Sequence, residues 1–231
     1  MNSAGSPKEH ERLLALHARI EEACHNAGRE RGEVSVIAVS KRQPTSAIEV
    51  IATHGMVDFG ENQIQAWRER QTQLPNLDLR WHILGPLQSR KAKSIAEGQP
   101  HLVHTIDRPR IVASLTTHWR HPNPLPVLAQ VNIDREPQKS GVDPDALDAL
   151  VDLICQSPAL CFRGVMSIPQ PRPIPDMHRA FAATRQCLSQ VADRTSGVPI
   201  LSMGMSRDYG AAIAEGSTMV RIGTALFGPR Q

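Results

Sequence analysis

The sequence predicts an α/β chain closed into a (β/α)8 TIM barrel, and three observations carry that expectation. Short apolar, β-rich runs alternate with amphipathic helical stretches through most of the 231 residues. Eight runs read as strands, and helical patterns follow most of them. No glycine-rich G-x-G-x-x-G turn follows the first run, so the runner-up, a doubly wound open sheet, lacks its dinucleotide fingerprint. A closed parallel barrel also covers both faces of every strand and leaves no edge exposed.

The elements follow in order. Residues 7–27 predict an additional N-terminal helix: Ser6 is placed to cap it, Pro7 suits its first turn and Glu9 completes a capping box. Leu13, Leu16, Ile20, Cys24 and Ala27 recur at helical spacing, and Gly28 stops the run. The first strand is VSVIAV, residues 34–39, followed by a helix over 45–54 that Gly55 closes. Further strands are expected to begin near Val57, Arg80, Leu102, Pro126, Cys161, Pro199 and Met219. Helices are expected over 63–73, 89–97, 109–118, 144–156, 176–194 and 208–215. PQPRPIPD, residues 169–176, reads as an extended loop after the sixth strand rather than a linker, so residues 1–231 form one domain.

Composition removes several function classes. Eight aromatic residues, 3 Trp, 1 Tyr and 4 Phe, are too few for base stacking, and a net charge of +3 is too mild for a DNA or membrane footprint. A small anion remains compatible with that charge. No long apolar run marks a membrane span, and the N-terminus lacks the apolar core of an export signal, so a cytoplasmic protein is expected. Cys24, Cys155, Cys161 and Cys187 show no C-x-x-C spacing and sit in apolar patterns, which reads as core thiols in a reducing compartment. No G-x-S-x-G elbow, Walker loop or H-E-x-x-H is present. His101 with His104, and His118 with His121, have H-x-x-H spacing, but no nearby Cys or carboxylate completes a metal site, so no metal is expected.

Barrels place reactive groups just past the C-terminal ends of their strands. Lys41 follows VIAVS there, either as a nucleophilic amine over the barrel mouth or as a solvated loop lysine. LSMGMSRD and VRIGTALFG fall after the last two strands, where barrels bind phosphate. Gly204 and Gly223 let backbone approach a ligand, and Ser206 and Thr224 offer hydroxyls; the alternative is a capped turn and a closing helix. Arg221 lies inside an apolar strand, where a guanidinium must point at a carboxylate or a ligand. Asn62 in DFGENQ and His82 in RWHILG sit at expected strand ends, and the basic run Arg90, Lys91 and Lys93 reads as a solvated helix face.

From about Val36 to Gly228 the blocks AVSK, FGEN, WHILGPLQ, HTIDR, QVNI, KSGV, RGVMSIP, SMGMS and VRIGTALFG occur in one order. In this the chain resembles the pyridoxal 5′-phosphate (PLP) homeostasis proteins, the YggS/PROSC group, whose fold is similar to the barrel domain of alanine racemase. The resemblance implies that Lys41 holds PLP as a Schiff base. It implies phosphate contacts from Ser206, Gly223 and Thr224, a ring-nitrogen contact from Arg221, and a cofactor lining of Asn62, His82 and Met166. It further implies a carrier without turnover, a monomer, and apo forms of PLP-dependent enzymes as partners. Departures from the family pattern are Gln63 in FGENQ and Arg90 in LQSRK.

Two other readings share the same lysine. A PLP-dependent racemase of this fold needs a second acid, and the lone tyrosine, Tyr209, sits in the turn after SMGMS, with no second domain expected beyond Gln231. A Schiff-base aldolase would use the lysine and the phosphate cup without cofactor and would be colourless. Lys139 in KSGV is a second amine, either a cofactor relay or a structural loop residue.

Overall fold

Apolar runs flanked by turn residues form eight short strands, each followed by a helix: β1 Ser35–Val39, β2 Asp58–Glu61, β3 Arg80–Ile83, β4 Leu102–Ile106, β5 Leu125–Val131, β6 Leu160–Ser167, β7 Ile200–Ser202 and β8 Met219–Ile222. The helices are α1 Pro7–Asn26, α2 Thr45–Thr53, α3 Ile64–Gln73, α4 Ala92–Gly98, α5 Pro109–His118, α6 Leu147–Cys155, α7 Ile174–Val191, α8 Tyr209–Ala214 and α9 Thr224–Phe227. This computed structural model describes residues 7–228, so the expected cap at Ser6 lies outside the described residues. All strands run parallel in the order β1 to β8, and β1 pairs with β8 through Ile37↔Arg221 and Ala38↔Ile222, closing the barrel. The runner-up open sheet is thereby excluded.

The main core lies between the strands and the surrounding helices, where Trp67, Phe59, Phe181, Ile48, Ile51 and Ile95 are fully buried. Their burial on the outer face of the strands is what the helical apolar spacing encodes. α1 is the extra element: it lies against α2, α8 and α9, buries Leu13, Leu16 and Ile20, and donates from Arg12 Nη1 to the Phe227 carbonyl at 3.0 Å. Gly164 in β6 has φ +141°, and a Cβ there would fall 2.0 Å from the Ile200 carbonyl oxygen. Only glycine lets β7 approach so closely, beside the register shift in the β5–β6 ladder.

Two expectations change. Cys24 and Cys187 are buried, but Cys155, the last residue of α6, is exposed and Cys161 half-buried, because both stand where an element meets solvent rather than in its packed middle. All four thiols are free. The proline-rich loop is shorter than expected: α7 begins at Ile174, since Pro175 falls in its first turn, where a missing N–H costs nothing.

The barrel interior is different in kind from the outer core. It holds two small apolar clusters, Ile37, Val39 and Leu84, and Leu102, Leu128 and Met166. Between them lie buried polar side chains: His82, His104 and Ser202 at 0% exposure and Arg221 at 4%. Among the described residues no helix is long and apolar enough to cross a membrane.

Candidate functional site

The mouth of the barrel is built first at β1 and β2. Ser40, fully buried, ends the β1 run, and Lys41 follows it half-buried at the strand's C-terminal end. The Ser40 hydroxyl donates to Glu61 Oε1 at 2.8 Å, tying the end of β1 to the end of β2. Glu61 is only 2% exposed; burial pushes its carboxyl above the usual range, against the Ser40 hydrogen bond and the charges of Arg70 and Lys41. A buried carboxyl therefore stands within electrostatic reach of the Lys41 amine. Asn62 comes next, half-buried, and the chain after β3 presses on it: a Cβ on Gly85 would fall 1.8 Å from the Asn62 carbonyl oxygen.

The second wall is made by the segments after β7 and β8. Ser206 Oγ accepts from the Ala225 N–H at 3.2 Å, so the two glycine-bearing segments meet, with Thr224 exposed between them. Gly204 has φ +91°, and its carbonyl accepts from the Arg221 N–H at 3.0 Å. Asp208 folds the loop back by accepting from the Met205 N–H at 2.6 Å. Gly223 lies beside the end of β1, its Cβ direction 3.5 Å from the Val39 carbonyl oxygen. Closure of the barrel thus brings Lys41 beside Gly223 and Thr224, some 180 residues away in sequence. On the outer side, Ser206, Arg207 and Tyr209 share a cleft of about 350 Å³ with Arg19, Glu22 and Asn26 of α1.

Arg221 projects into the interior, and among the described residues no carboxylate makes a hydrogen bond to it. Its Nη1 donates to Ser202 Oγ at 2.7 Å and its Nη2 to the Ser167 carbonyl at 2.9 Å. Burial lowers its pKa to about 10, partly offset by the charge of Asp208, so it remains a cation at neutral pH. Behind it the polar contacts continue. His104 Nδ1 lies 3.0 Å from Ser202 Oγ, His104 Nε2 lies 2.9 Å from His82 Nδ1, and His82 Nε2 lies 3.0 Å from Asp58 Oδ1. Asp58 also takes Arg80 Nε at 2.8 Å and Nη2 at 2.5 Å.

The site residues divide on these contacts. Lys41, Asn62, Ser206, Gly223 and Thr224 gather at strand ends around the mouth. His82 and Met166 do not reach that rim: both are 0% exposed, His82 with both ring nitrogens engaged inside the barrel and Met166 packed against Leu102 and Leu128. His82 is the third of four residues in β3 rather than a residue past its end, and its inward direction follows from strand alternation. Lys139 is engaged by acids, 2.5 Å from Glu136 and 3.8 Å from Asp134. His118 and His121 contact the carbonyls of Ser114 and Ala96, as satisfied residues should.

The H-x-x-H spacing of His101 and His104 does not describe a shared metal site: both rings lie against His82, with centroids 5.4 and 5.2 Å from it, but the two nitrogens of His104 are already engaged by His82 and Ser202. The fold instead brings His101 to Asp58 and His82, one ligand atom from each lying within 4.8 Å of the others. A cation there would face the Arg80 guanidinium already paired with Asp58, so this donor set is a poor metal site. Asp58, Glu61, His104 and Ser202 escaped sequence reasoning. Only His104, in the middle of LVHTI, carried the anomaly that singles out Arg221; Asp58, Glu61 and Ser202 stand at the ends of their strands, where a polar residue is ordinary.

Comparison with known proteins adds three findings. A family model described as alanine racemase, N-terminal domain, matches residues 12–231. A pyridoxal phosphate homeostasis protein of Pseudomonas aeruginosa is 44% identical over 224 residues, covering 95% of each chain. The structure of PipY of Synechococcus elongatus with PLP bound superimposes with a TM-score of 0.79 at 32% identity, covering 95% of this chain and 100% of that one.

Proposed function

The chain belongs to the alanine racemase N-terminal domain family and, within it, to the pyridoxal phosphate homeostasis proteins, and on that premise we propose that it binds PLP at the barrel mouth and holds it in reserve. The observation that carries the reading is the β8–β1 pairing, which sets the Lys41 end of β1 beside the Arg221–Thr224 segment. The residues fit the cofactor's chemistry. A primary amine, hydroxyls with backbone amides at two glycine-bearing turns, and a buried cation answer to an aldehyde, a phosphate and a ring nitrogen in turn. When bound, PLP supplies an aldehyde that condenses reversibly with a primary amine.

The chain's own groups then have distinct tasks. Lys41 supplies the amine, and the Glu61 carboxyl, held by Ser40, is the nearby group able to take or return a proton. Ser206, Gly223 and Thr224 hold the phosphate, and Asn62 lines the cofactor from just past the end of β2. Arg221 keeps a positive charge against the ring nitrogen, which disfavours protonation there and weakens the ring as an electron sink. A weak sink suits storage and release more than turnover. Tyr209 lines the cleft against α1 with Arg19 and Glu22, which supports no second acid opposite Lys41. The protein serves as a cytoplasmic carrier that limits free aldehyde and supplies apo forms of PLP-dependent enzymes.

Borohydride reduction of the PLP-loaded protein followed by peptide mass mapping tests this. The expected result is one adduct on Lys41, with the visible absorption band lost in Lys41→Ala. An adduct elsewhere, or a colourless protein after exposure to PLP, refutes the reading. Measurable racemisation of free amino acids, abolished in Lys41→Ala, would replace the carrier with an enzyme.

A further inference from the structure

The interior contacts form one continuous chain from Arg221 through Ser202, His104 and His82 to Asp58. Its two ends differ in what they can do. A guanidinium only donates, and an ionised carboxylate only accepts. Asp58 is held as a carboxylate: burial pushes its carboxyl up, but the hydrogen bonds and charges of His82 and Arg80 outweigh it and bring it below the usual range. With one proton on each imidazole, the direction of every link is then forced. His82 donates from Nε2 to Asp58 and accepts at Nδ1 from His104 Nε2–H. His104 accepts at Nδ1 from the Ser202 hydroxyl, whose oxygen accepts from Arg221.

Both rings are neutral on this structure. Burial lowers the pKa of His82 against the attraction of Asp58, and burial lowers that of His104 further, helped by the Arg221 charge. The groups facing the chain are thus Asp58 from β2, Arg80 from β3, His101 from the turn before β4, Arg221 from β8 and Asp208 from the loop after β7.

We propose that Ser202, His104, His82 and Asp58 are positioning residues for Arg221, a one-way hydrogen-bond relay that fixes its guanidinium from the opposite end of the barrel. Among the described residues the buried guanidinium has a hydroxyl and a carbonyl as direct partners, and aligned dipoles ending on a carboxylate add to the more distant attraction of Asp208. The relay fixes Nη1, while the Ser167 carbonyl fixes Nη2. It rests on the reading above, in which Arg221 meets the ring nitrogen of bound PLP; the charge at that atom is then maintained from Asp58, a residue outside the mouth. His82, for which the family resemblance implies a cofactor lining, would on this proposal act through Arg221.

The test begins on the protein without cofactor, labelled with 15N-histidine. Long-range 1H–15N correlation spectra should place a single proton on Nε2 of both His82 and His104 at about pH 8, above the ordinary imidazole range. A proton on Nδ1 of His104, or two on His82, overturns the relay, and this measurement needs no variant. Asp58→Ala should admit the Nδ1–H form of both rings. Asp58→Ala and Ser202→Ala should each weaken PLP binding about tenfold, the size of one buried hydrogen bond to a charged group, and shift the cofactor's visible band. Ser202→Thr, which keeps the hydroxyl, should restore the wild-type band. Unchanged affinity and spectrum in both alanine variants, with the wild-type adduct mapped to Lys41, overturn the relay alone. Absence of that adduct in the wild type overturns the carrier reading instead.

Discussion

Glu61 shows how much a single buried group can matter beside the reactive amine. Its carboxyl is pushed up by burial, so the folded chain binds its proton more tightly than the unfolded chain does. Stability contributed by this residue is therefore present below the unfolded carboxyl range and is lost as pH rises through the folded value. Glu61→Gln keeps an acceptor for the Ser40 hydroxyl without the charge. Without cofactor, the variant is expected to be at least as stable as the wild type at pH 8, the gap closing as the pH falls below about 4.5. Urea denaturation at both pH values measures it, and a variant less stable at pH 8 would show that the attraction between Glu61 and Lys41 dominates. Lys41 and Arg221 were legible at this scale, because a lysine just past an apolar run and an arginine within one are anomalies of order. Glu61 and Ser40 were not, since FGEN and AVSK reveal their contact only when the ends of β1 and β2 lie together.

Among the elements, the β7-to-α8 connection sets the phosphate side of the mouth. Gly204 holds φ +91°, and a Cβ there would come within 2.5 Å of the Ala212 Cβ. Gly204→Ala combines left-handed strain with a clash against α8, an expected cost of about 2–4 kcal/mol. In a chain of this length that corresponds to a fall in Tm of roughly 5–15 °C. PLP affinity should fall with it, because Gly204 carries the turn that positions Ser206. A thermal melt within about 2 °C of the wild type would contradict this. Element existence and order followed from apolar periodicity alone, and α5 has the expected limits. Boundaries shifted where local chemistry competes: the expected helices over 89–97 and 144–156 each begin with a 3-10 turn, at Ser89–Lys91 and Pro144–Ala146, before continuing as α4 and α6.

For the whole molecule, the polar interior predicts a pH dependence of its own. His82 and His104 both sit below the ordinary imidazole range, chiefly through burial. The unfolded chain then binds more protons than the folded chain between the folded values and about 6.5, so their contribution is complete above that range and lost as pH falls through it. Urea midpoints of the protein without cofactor should decline from pH 7 to 5.5, and His104→Gln should flatten the decline. A midpoint unchanged across that window would mean that Asp58 keeps His82 charged in the native state.

The sequence by itself determined the β/α alternation and the strand-end positions of residues such as Lys41, because apolar spacing and strand-end position are local properties that neighbours in the chain encode; the β1–β8 pairing decided for a closed barrel over an open sheet. The sequence also carried the family resemblance, through short blocks in a fixed order. Only the tertiary structure decided that Arg221 is backed by Ser202, His104, His82 and Asp58. Those residues come from five strands, and a hydrogen bond between them depends on register and closure, which no window of sequence contains.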